Sequence, residues 1–258
     1  MARTMIEEDA ALPANKSQLG MIADVAGLVY VAGSDTTVSS VIGFFLAMLV
    51  YPEVQAKAQA EVDRVVGKDR LPEFEDRKEL PYIEAVINEC LRWCPVVPMG
   101  QWIIVPSTSP DTSPTAVPHR AIQDDHYKGY FIPKGSLVLG SVWSILHNAK
   151  DYPDPERFNP DRYLTRDGQL DPSVRDPRTA CFGFGRRVCP GRFIADSSLF
   201  MTVTTLLSTV NIVRAKDAQG REIVPDVEVA SGLLSYPKPF PWAIQSRGPR
   251  ADGLLVDA

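Results

Sequence analysis

The run FGFGRRVCPG, residues 182–191, wraps a single cysteine, Cys189, in a loop whose residue types suit the presentation of a thiolate. Gly185 and Gly191 are expected to allow backbone angles and close approaches that a Cβ would block. Pro190 removes a donor and fixes φ directly after the sulfur. The residues that follow, RFIADSSLFMTVTTLLSTV, read as a helix, which places Cys189 at or near an N-terminus. There the helix dipole and free N–H groups favour an anionic sulfur. A thiolate so placed can be a redox nucleophile, a metal ligand or a haem ligand. Zinc sites want cysteine pairs at short range. Cys189 has only Cys181, eight residues back, with no histidine nearby. Nor does a second cysteine stand at C-x-x-C spacing.

Two further groupings can carry chemistry. AGSDTT, Ala32–Thr37, falls midway along a long apolar stretch. Consecutive Thr residues lower helix propensity, and a hydroxyl can bond back to the carbonyl one turn earlier and bend the helix. Gly33 removes bulk from the same turn, so the segment can open a groove for a diatomic ligand; a small-residue helix crossing accounts for it equally well. Glu89 and Arg92, three apart in NECLR, share a helix face. Their neighbours Val86, Ile87, Cys90, Leu91 and Trp93 are apolar, so the pair is expected to be partly buried and to need further partners. His119 and Arg120 follow Val117-Pro118; a lone histidine there is more often structural than a ligand.

The cysteine loop resembles the proximal haem loop of the cytochrome P450 family, F-x-x-G-x-R-x-C-x-G, at Phe182, Gly185, Arg187, Cys189 and Gly191. The resemblance implies a haem b cofactor with Cys189 as the axial thiolate on its iron, the ligand type that favours O–O cleavage. It also implies Arg187 on a haem propionate and Phe182 packed against the loop. AGSDTT is similar to the family's A/G-G-x-D/E-T-T/S pattern. By that likeness Ala32 and Gly33 border the cofactor, Thr36 hydrogen-bonds dioxygen and Asp35 helps relay protons. Glu89 and Arg92 are similar to the family's E-x-x-R pair, whose third member is an arginine in F-x-P-E-R-F. PERF at 155–158 offers Arg157, but FNPDRY at 158–163 keeps the six-residue frame, so Arg162 is the expected partner in a structural triad. P-H-R followed by D-x-x-x-G-Y-x-I-P-K-G places His119 at a propionate. Val96, Val97 and Met99, with Leu233 and Leu234, correspond to substrate-lining segments, and their apolar character suits a hydrophobic substrate.

The family likeness implies a monooxygenase that inserts one oxygen atom of O2 into a small hydrophobic organic substrate, using electrons from an NADPH-dependent reductase. It points to a microsomal type of secondary metabolism, the parent enzyme lying on the cytosolic face of the endoplasmic reticulum membrane, and a translated short intron at residues 100–115 would indicate a fungal source. Two other classes stay open: an inactive or degenerate haem-binding fragment, and a haem-thiolate isomerase or dehydratase. The Asp35–Thr36 pair argues against the isomerase. Arg186 and Arg192, flanking the loop, are either docking residues for an acidic partner or ordinary solvated arginines.

The elements that must position these residues read as α-rich α+β, the C-terminal portion of a cytochrome P450 fold. A central helix is expected over 17–50, a second from Pro52 to Gly67, and the E-x-x-R helix over 81–94. Short strands follow Val117, with turns at Lys128-Gly129 and Pro133–Gly135. A short helix lies near Trp143–His147, then a meander and the thiolate loop over 151–191, a helix over 191–209, and strand-like pieces from Asn211. The family is roughly twice this length. The chain is therefore expected to lack the helices over the other haem face, to show apolar surface on its central helix, and to be unstable or inactive alone. Residues 100–115, GQWIIVPSTSPDTSPT, interrupt the family-like join PVVPM-AVPHR. They are expected to be an anomalous insert, either a translated short intron or a surface insertion.

Composition sets the bounds. With 258 residues, 45% of them hydrophobic, the chain can bury a substantial core. A net charge of −5 and the lack of a basic block argue against nucleic-acid binding. Four cysteines give no secreted disulfide framework, and Cys90 and Cys94, one helical turn apart, are expected to be buried thiols. The run Met21–Tyr51 is long enough to span a bilayer. Asp24 and Asp35 fall inside it, so it is expected to cross the centre of a soluble domain instead. The N-terminus, MARTMIEEDA, reads as neither signal peptide nor anchor.

Overall fold

The computed structural model describes residues 16–98, 119–230, 232 and 234–256. Met99, Leu233 and the segment 100–115 therefore lie outside the described residues. Helix α1 (Lys16–Val50) is followed by α2 (Pro52–Val65), a 3₁₀ turn (Phe74–Glu79) and α3 (Pro81–Trp93). Proline stands at the first turn of both α2 and α3, where its missing N–H costs no helical bond. The free amides at the start of α3 are met by a side chain from α2. Glu61 accepts from the N–H groups of Tyr82 at 3.1 Å and Ile83 at 2.9 Å.

Four short strands come next: β1 (His119–Arg120), β2 (Asp125–Tyr127), β3 (Tyr130–Ile132) and β4 (Leu137–Val138). β1 pairs antiparallel with β4, and β2 with β3 across the Lys128-Gly129 turn. Helix α4 (Val142–Leu146), a 3₁₀ turn (Pro160–Tyr163), α5 (Arg178–Cys181) and a 3₁₀ turn (Gly185–Arg187) carry the chain through the meander into the cysteine loop. Helix α6 (Arg192–Thr209) leaves that loop and runs into β5 (Val210–Arg214). Two small pairs complete the fold: β6 (Val229–Ala230) with β7 (Tyr236–Pro237), and β5 with β8 (Trp242–Ser246), before a terminal helix α7 (Pro249–Val256). The architecture is helix-dominated with minor two-stranded sheets.

One core gathers Phe44 and Leu46–Leu49 of α1, Val54, Ala58 and Val62 of α2, most of α3, and Leu199, Phe200, Val203 and Leu207 of α6. In α2 the buried positions 54, 58 and 62 recur every four residues and form one stripe. β5 is fastened to α2 by buried Gln55, whose amide donates to the Ile212 carbonyl at 2.9 Å and accepts from the Ile212 N–H at 2.8 Å. Arg214 then donates to the Leu49 carbonyl at 2.8 Å, supplying a cation to the C-terminal end of α1.

The expectation that α1 crosses the centre of the domain holds for its second half only. Ser39, Phe44 and Leu46–Leu49 are buried, whereas Met21, Val25, Leu28–Val31 and Val38 are exposed. No element among the described residues covers that apolar stretch. By length and composition α1 could also cross a membrane, but its burial at the C-terminal end is that of a core helix.

Candidate functional site

Cys189 lies three residues ahead of α6, in a loop held by few bonds of its own. Its N–H donates to the Phe182 carbonyl at 2.8 Å, and Gly183 and Val188 donate to Ala180 and Gly185 at 3.0 and 3.2 Å. Phe182 packs against the main core, so the loop is pinned at one end by a core residue. Gly183 and Gly185 adopt φ of +80° and +61°, values a side chain would strain. The expectation for Gly191 needs correcting. Its φ is −85°, and a Cβ there would meet only the Cys189 sulfur at an ordinary 3.9 Å. The close approach in this region belongs to Gly140 instead, where a Cβ would stand 2.5 Å from the Phe184 ring. That contact sets the cysteine loop directly beside the segment leaving β4.

The neighbourhood so formed has the character of a surface for a flat apolar group with anionic edges. Cys189 is half-buried, with no disulfide. Phe184 on the loop and Leu137, Val138 and Leu139 beside β4 expose their side chains. Arg187 and His119 are exposed, and among the described residues no carboxylate pairs with either. His119 sits opposite Val138 in the β1–β4 pair, so the Gly140–Phe184 contact brings its sheet to the loop that carries Arg187. A thiol, two uncompensated cationic or polar heads and an apolar wall fit haem.

The AGSDTT turn is on the open half of α1. Thr36 Oγ1 donates to the Ala32 carbonyl at 2.7 Å and Thr37 Oγ1 to the Gly33 carbonyl at 2.9 Å, the back-bonding that such residues invite. Gly33 has no atom within 4 Å of where a Cβ would stand. The apolar segments reach this turn. The Ser235 N–H donates to the Val96 carbonyl at 2.8 Å, Ser39 Oγ donates to the Ser235 carbonyl at 2.5 Å, and the Tyr236 hydroxyl donates to the Asp35 carbonyl at 3.3 Å. Val96, Val97 and Leu234 are half-buried there. No hydrogen bond or ion pair joins Asp35 or Thr36 to Cys189 among the described residues.

Glu89 and Arg92 of α3 meet Arg162 of the meander. Glu89 and Arg92 are fully buried and paired through two bonds of 2.7 and 2.9 Å. Arg162 Nε donates to Glu89 Oε1 at 3.1 Å, and the Asn159 N–H reaches the same oxygen at 2.8 Å. The remaining donors are satisfied by the meander. Arg92 binds the Leu146 and Arg157 carbonyls at 3.1 and 3.3 Å, and Arg162 those of Pro153, Asp154 and Arg157 at 2.6, 3.1 and 3.2 Å. Arg157 contributes its carbonyl while its own side chain is exposed. Burial alone would lower the Arg92 pKa, but the Glu89 carboxylate outweighs it and holds the guanidinium above its usual value.

His147, not singled out from sequence, abuts this cluster. Its ring stacks on Trp143 with centroids 4.3 Å apart, and its Nδ1 lies 3.1 Å from the Trp143 carbonyl. Burial, then the Arg92 charge, pull its pKa from 6.5 to about 4. The unfolded chain thus binds the proton more readily, and His147 favours folding above pH 6.5 and loses that contribution as pH falls toward 4. The loss attributable to it is at most about 3 kcal/mol. In urea titrations from pH 7 to pH 4, H147Q should lose correspondingly less stability than the native chain. Parallel curves would contradict the assignment.

Comparison with known proteins places this arrangement. A family model described as Cytochrome P450 matches residues 4–102 and 110–241, its break falling inside the segment expected to be an insert. The chain is 45% identical to cytochrome P450 monooxygenase claR of Ampulloclitocybe clavipes, over 89% of this chain and 40% of that one. It is also 45% identical to cytochrome P450 monooxygenase 98 of Postia placenta, over 92% of this chain and 43% of that one. A zebrafish cytochrome P450 solved with abiraterone superposes with a TM-score of 0.72 at 31% identity, covering 92% of this chain and 50% of that one. The chain thus spans less than half the length of these curated relatives, and what it contains is the thiol loop, the buried Glu–Arg pair and the AGSDTT helix. It belongs to the cytochrome P450 family.

Proposed function

We propose that this chain is the haem-thiolate portion of a monooxygenase that inserts one oxygen atom of O2 into a small hydrophobic substrate. The observation that carries the reading is the Cys189 thiol, half-buried in a glycine loop just ahead of α6, beside exposed apolar side chains and an Arg187 that no carboxylate pairs among the described residues. Haem held by a cysteine thiolate supplies dioxygen activation. Cys189 would be the axial ligand, with Arg187 and His119 holding the propionates. Phe182 and Gly185 shape the loop, and the Glu89–Arg92–Arg162 triad fixes the meander beneath it.

Ala32 and Gly33 would border the cofactor on the other side. Thr36 would donate a hydrogen bond to dioxygen, and Asp35 would pass protons to it; dioxygen cleavage needs protons delivered in a site shielded from water. The hydroxyl that now donates to the Ala32 carbonyl can turn outward at the cost of one exposed bond. Val96, Val97 and Leu234, with Met99 and Leu233, would line the approach of an apolar substrate. An NADPH-dependent reductase would supply electrons, and the parent enzyme would work at the endoplasmic reticulum membrane.

The test is the reduced-CO difference spectrum of the haem-loaded full-length parent, in which a thiolate-type band is expected and a band of the neutral-ligand type would reject Cys189 as ligand. For the full-length parent, T36A should lower product formed per NADPH consumed by roughly 10²-fold, the lower end for a lost acid–base group. Unchanged coupling would remove Thr36 from the proton path.

A further inference from the structure

We infer that a partly buried ion cluster of Arg178, Asp196, Glu84 and Arg77 clamps the two ends of the Cys189 loop together and against α3, and so positions the thiol. Arg178 opens α5 just before the loop, and Asp196 lies in the second turn of α6 just after it. Their side chains meet directly, Arg178 Nε donating to Asp196 Oδ1 at 2.7 Å and Nη2 standing 2.6 Å from the same oxygen. This bond closes the chain across 18 residues with Cys189 inside. Both ends are then tied to the same helix. Arg178 Nη2 donates to Glu84 Oε1 at 2.6 Å, and its Nη1 reaches Asn88 Oδ1. Arg77 completes the ring, binding Glu84 at 2.9 and 3.0 Å and Asp196 Oδ2 at 2.7 Å.

Two guanidinium groups face two carboxylates within the ring, Asp176 adds an exposed third carboxylate 3.5 Å from Arg178, and the side chains of the ring are only 14–26% exposed. Bonds to partly desolvated charges are stronger than surface pairs. Burial would raise the Asp196 pKa, yet Arg77 and Arg178 hold it below the usual carboxylate range. The loop needs such help. Between Phe182 and Gly191 its backbone makes only a few bonds, and Phe184–Arg187 are exposed. Closing a flexible segment carries an entropy cost that something outside it must offset. Helix α3 therefore holds two acidic anchors on neighbouring turns: Glu89 for the meander and Glu84 for the cysteine loop. The four residues position Cys189 and touch no reacting atom.

The test is amide hydrogen exchange on the 258-residue chain, comparing D196N and D196E with the native protein. D196N should speed exchange at Gly183, Val188 and Cys189 by tenfold or more, while Ile87 and Leu91 inside α3 keep their native rates. D196E should restore most of the protection. Loop amides that do not respond, or that accelerate by the same factor as Ile87 and Leu91, would overturn the clamp. Should D196N fail to fold, R77M, which removes only one arm, must show a smaller acceleration confined to the same amides, or the idea fails. A second readout rests on the reading of Cys189 as haem ligand: in the haem-loaded protein D196N should lower the thiolate-type fraction of the CO spectrum, and D196E restore it. A native protein without that band, but with responsive loop amides, would reject the ligand and leave the clamp standing.

Discussion

Replacing Glu89 with alanine is expected to cost about 3–5 kcal/mol of folding stability, the range for breaking a buried pair by removing one partner. The magnitude follows from what E89A leaves behind. Arg92 is fully buried, and its remaining contacts are two carbonyls and the Tyr152 ring, whose centroid lies 5.6 Å from the guanidinium carbon. None of these carries a negative charge. Arg162 and the Asn159 N–H lose the same oxygen, so the meander is released along with the helix. E89Q keeps the shape and part of the bonding and should fall between E89A and the native chain. Urea denaturation reads the effect, and a loss below about 1 kcal/mol would mean that the pair behaves like a surface bridge.

The same experiment separates the two arginines. R162A removes a side chain that bonds Glu89 and three carbonyls, and should be destabilising by at least about 1–2 kcal/mol, since several charge-assisted bonds are lost. R157A should stay within about 0.5 kcal/mol, as expected for an exposed side chain whose backbone makes the contact. Reversed effects would assign the meander to Arg157.

How much of this was legible in the sequence depended on how local each signal was. The spacing of Glu89 and Arg92 fixes their shared face within one helical turn, so the pair could be read, though nothing nearby showed that it would be fully buried. Arg162 could be preferred to Arg157 because a six-residue frame carries more information than a four-residue string. The helices at Pro52 and Pro81 followed from prolines at helix starts, the first of them also from its amphipathic pattern and the Gly67 that ends it. The two-residue strands β1, β4, β6 and β7 are too short to show an alternating pattern.

What could not be read was non-local. Arg77 and Asp196 are separated by nearly half of the chain, and each alone looks like a solvated surface charge. Only the convergence of the 3₁₀ turn, α3, α5 and α6 makes them a cluster. Gly140 is an ordinary glycine in an apolar stretch until the Phe184 ring is found against it. Gly191, by contrast, was expected to permit a special geometry and adopts an unremarkable one, because the turn strain falls on Gly183 and Gly185. His147 carried no motif, and its depressed pKa arises first from burial and then from the distant Arg92 folded beside it. The exposed half of α1 is the clearest case of a pattern with two readings. Its apolar residues mark a surface to be covered, and periodicity says nothing of what covers it.

Cys189→Ser is the substitution with the largest expected effect on function: complete loss of the thiolate-type CO spectrum and of any activity that depends on it. A serine hydroxyl keeps the size and much of the loop geometry but stays protonated at neutral pH, so it offers the iron no comparable anionic donor. The other cysteines cannot replace it. Burial pushes the thiols of Cys181 and Cys94 up to about 12 and raises that of Cys90 well above its usual value. A thiol with a pKa of about 12 is ionised in only roughly one molecule in 10⁵ at pH 7. Cys189 alone combines partial exposure with a position at the start of an 18-residue helix. Because it lies in the loop, outside the packed core, C189S should change unfolding stability by less than about 1 kcal/mol, so lost ligation will not be confused with lost structure. Cys181→Ser is the matched control, and it should keep the thiolate-type band. A band that survives in C189S, or disappears in C181S, would move the ligand to Cys181 and with it the whole reading of the loop.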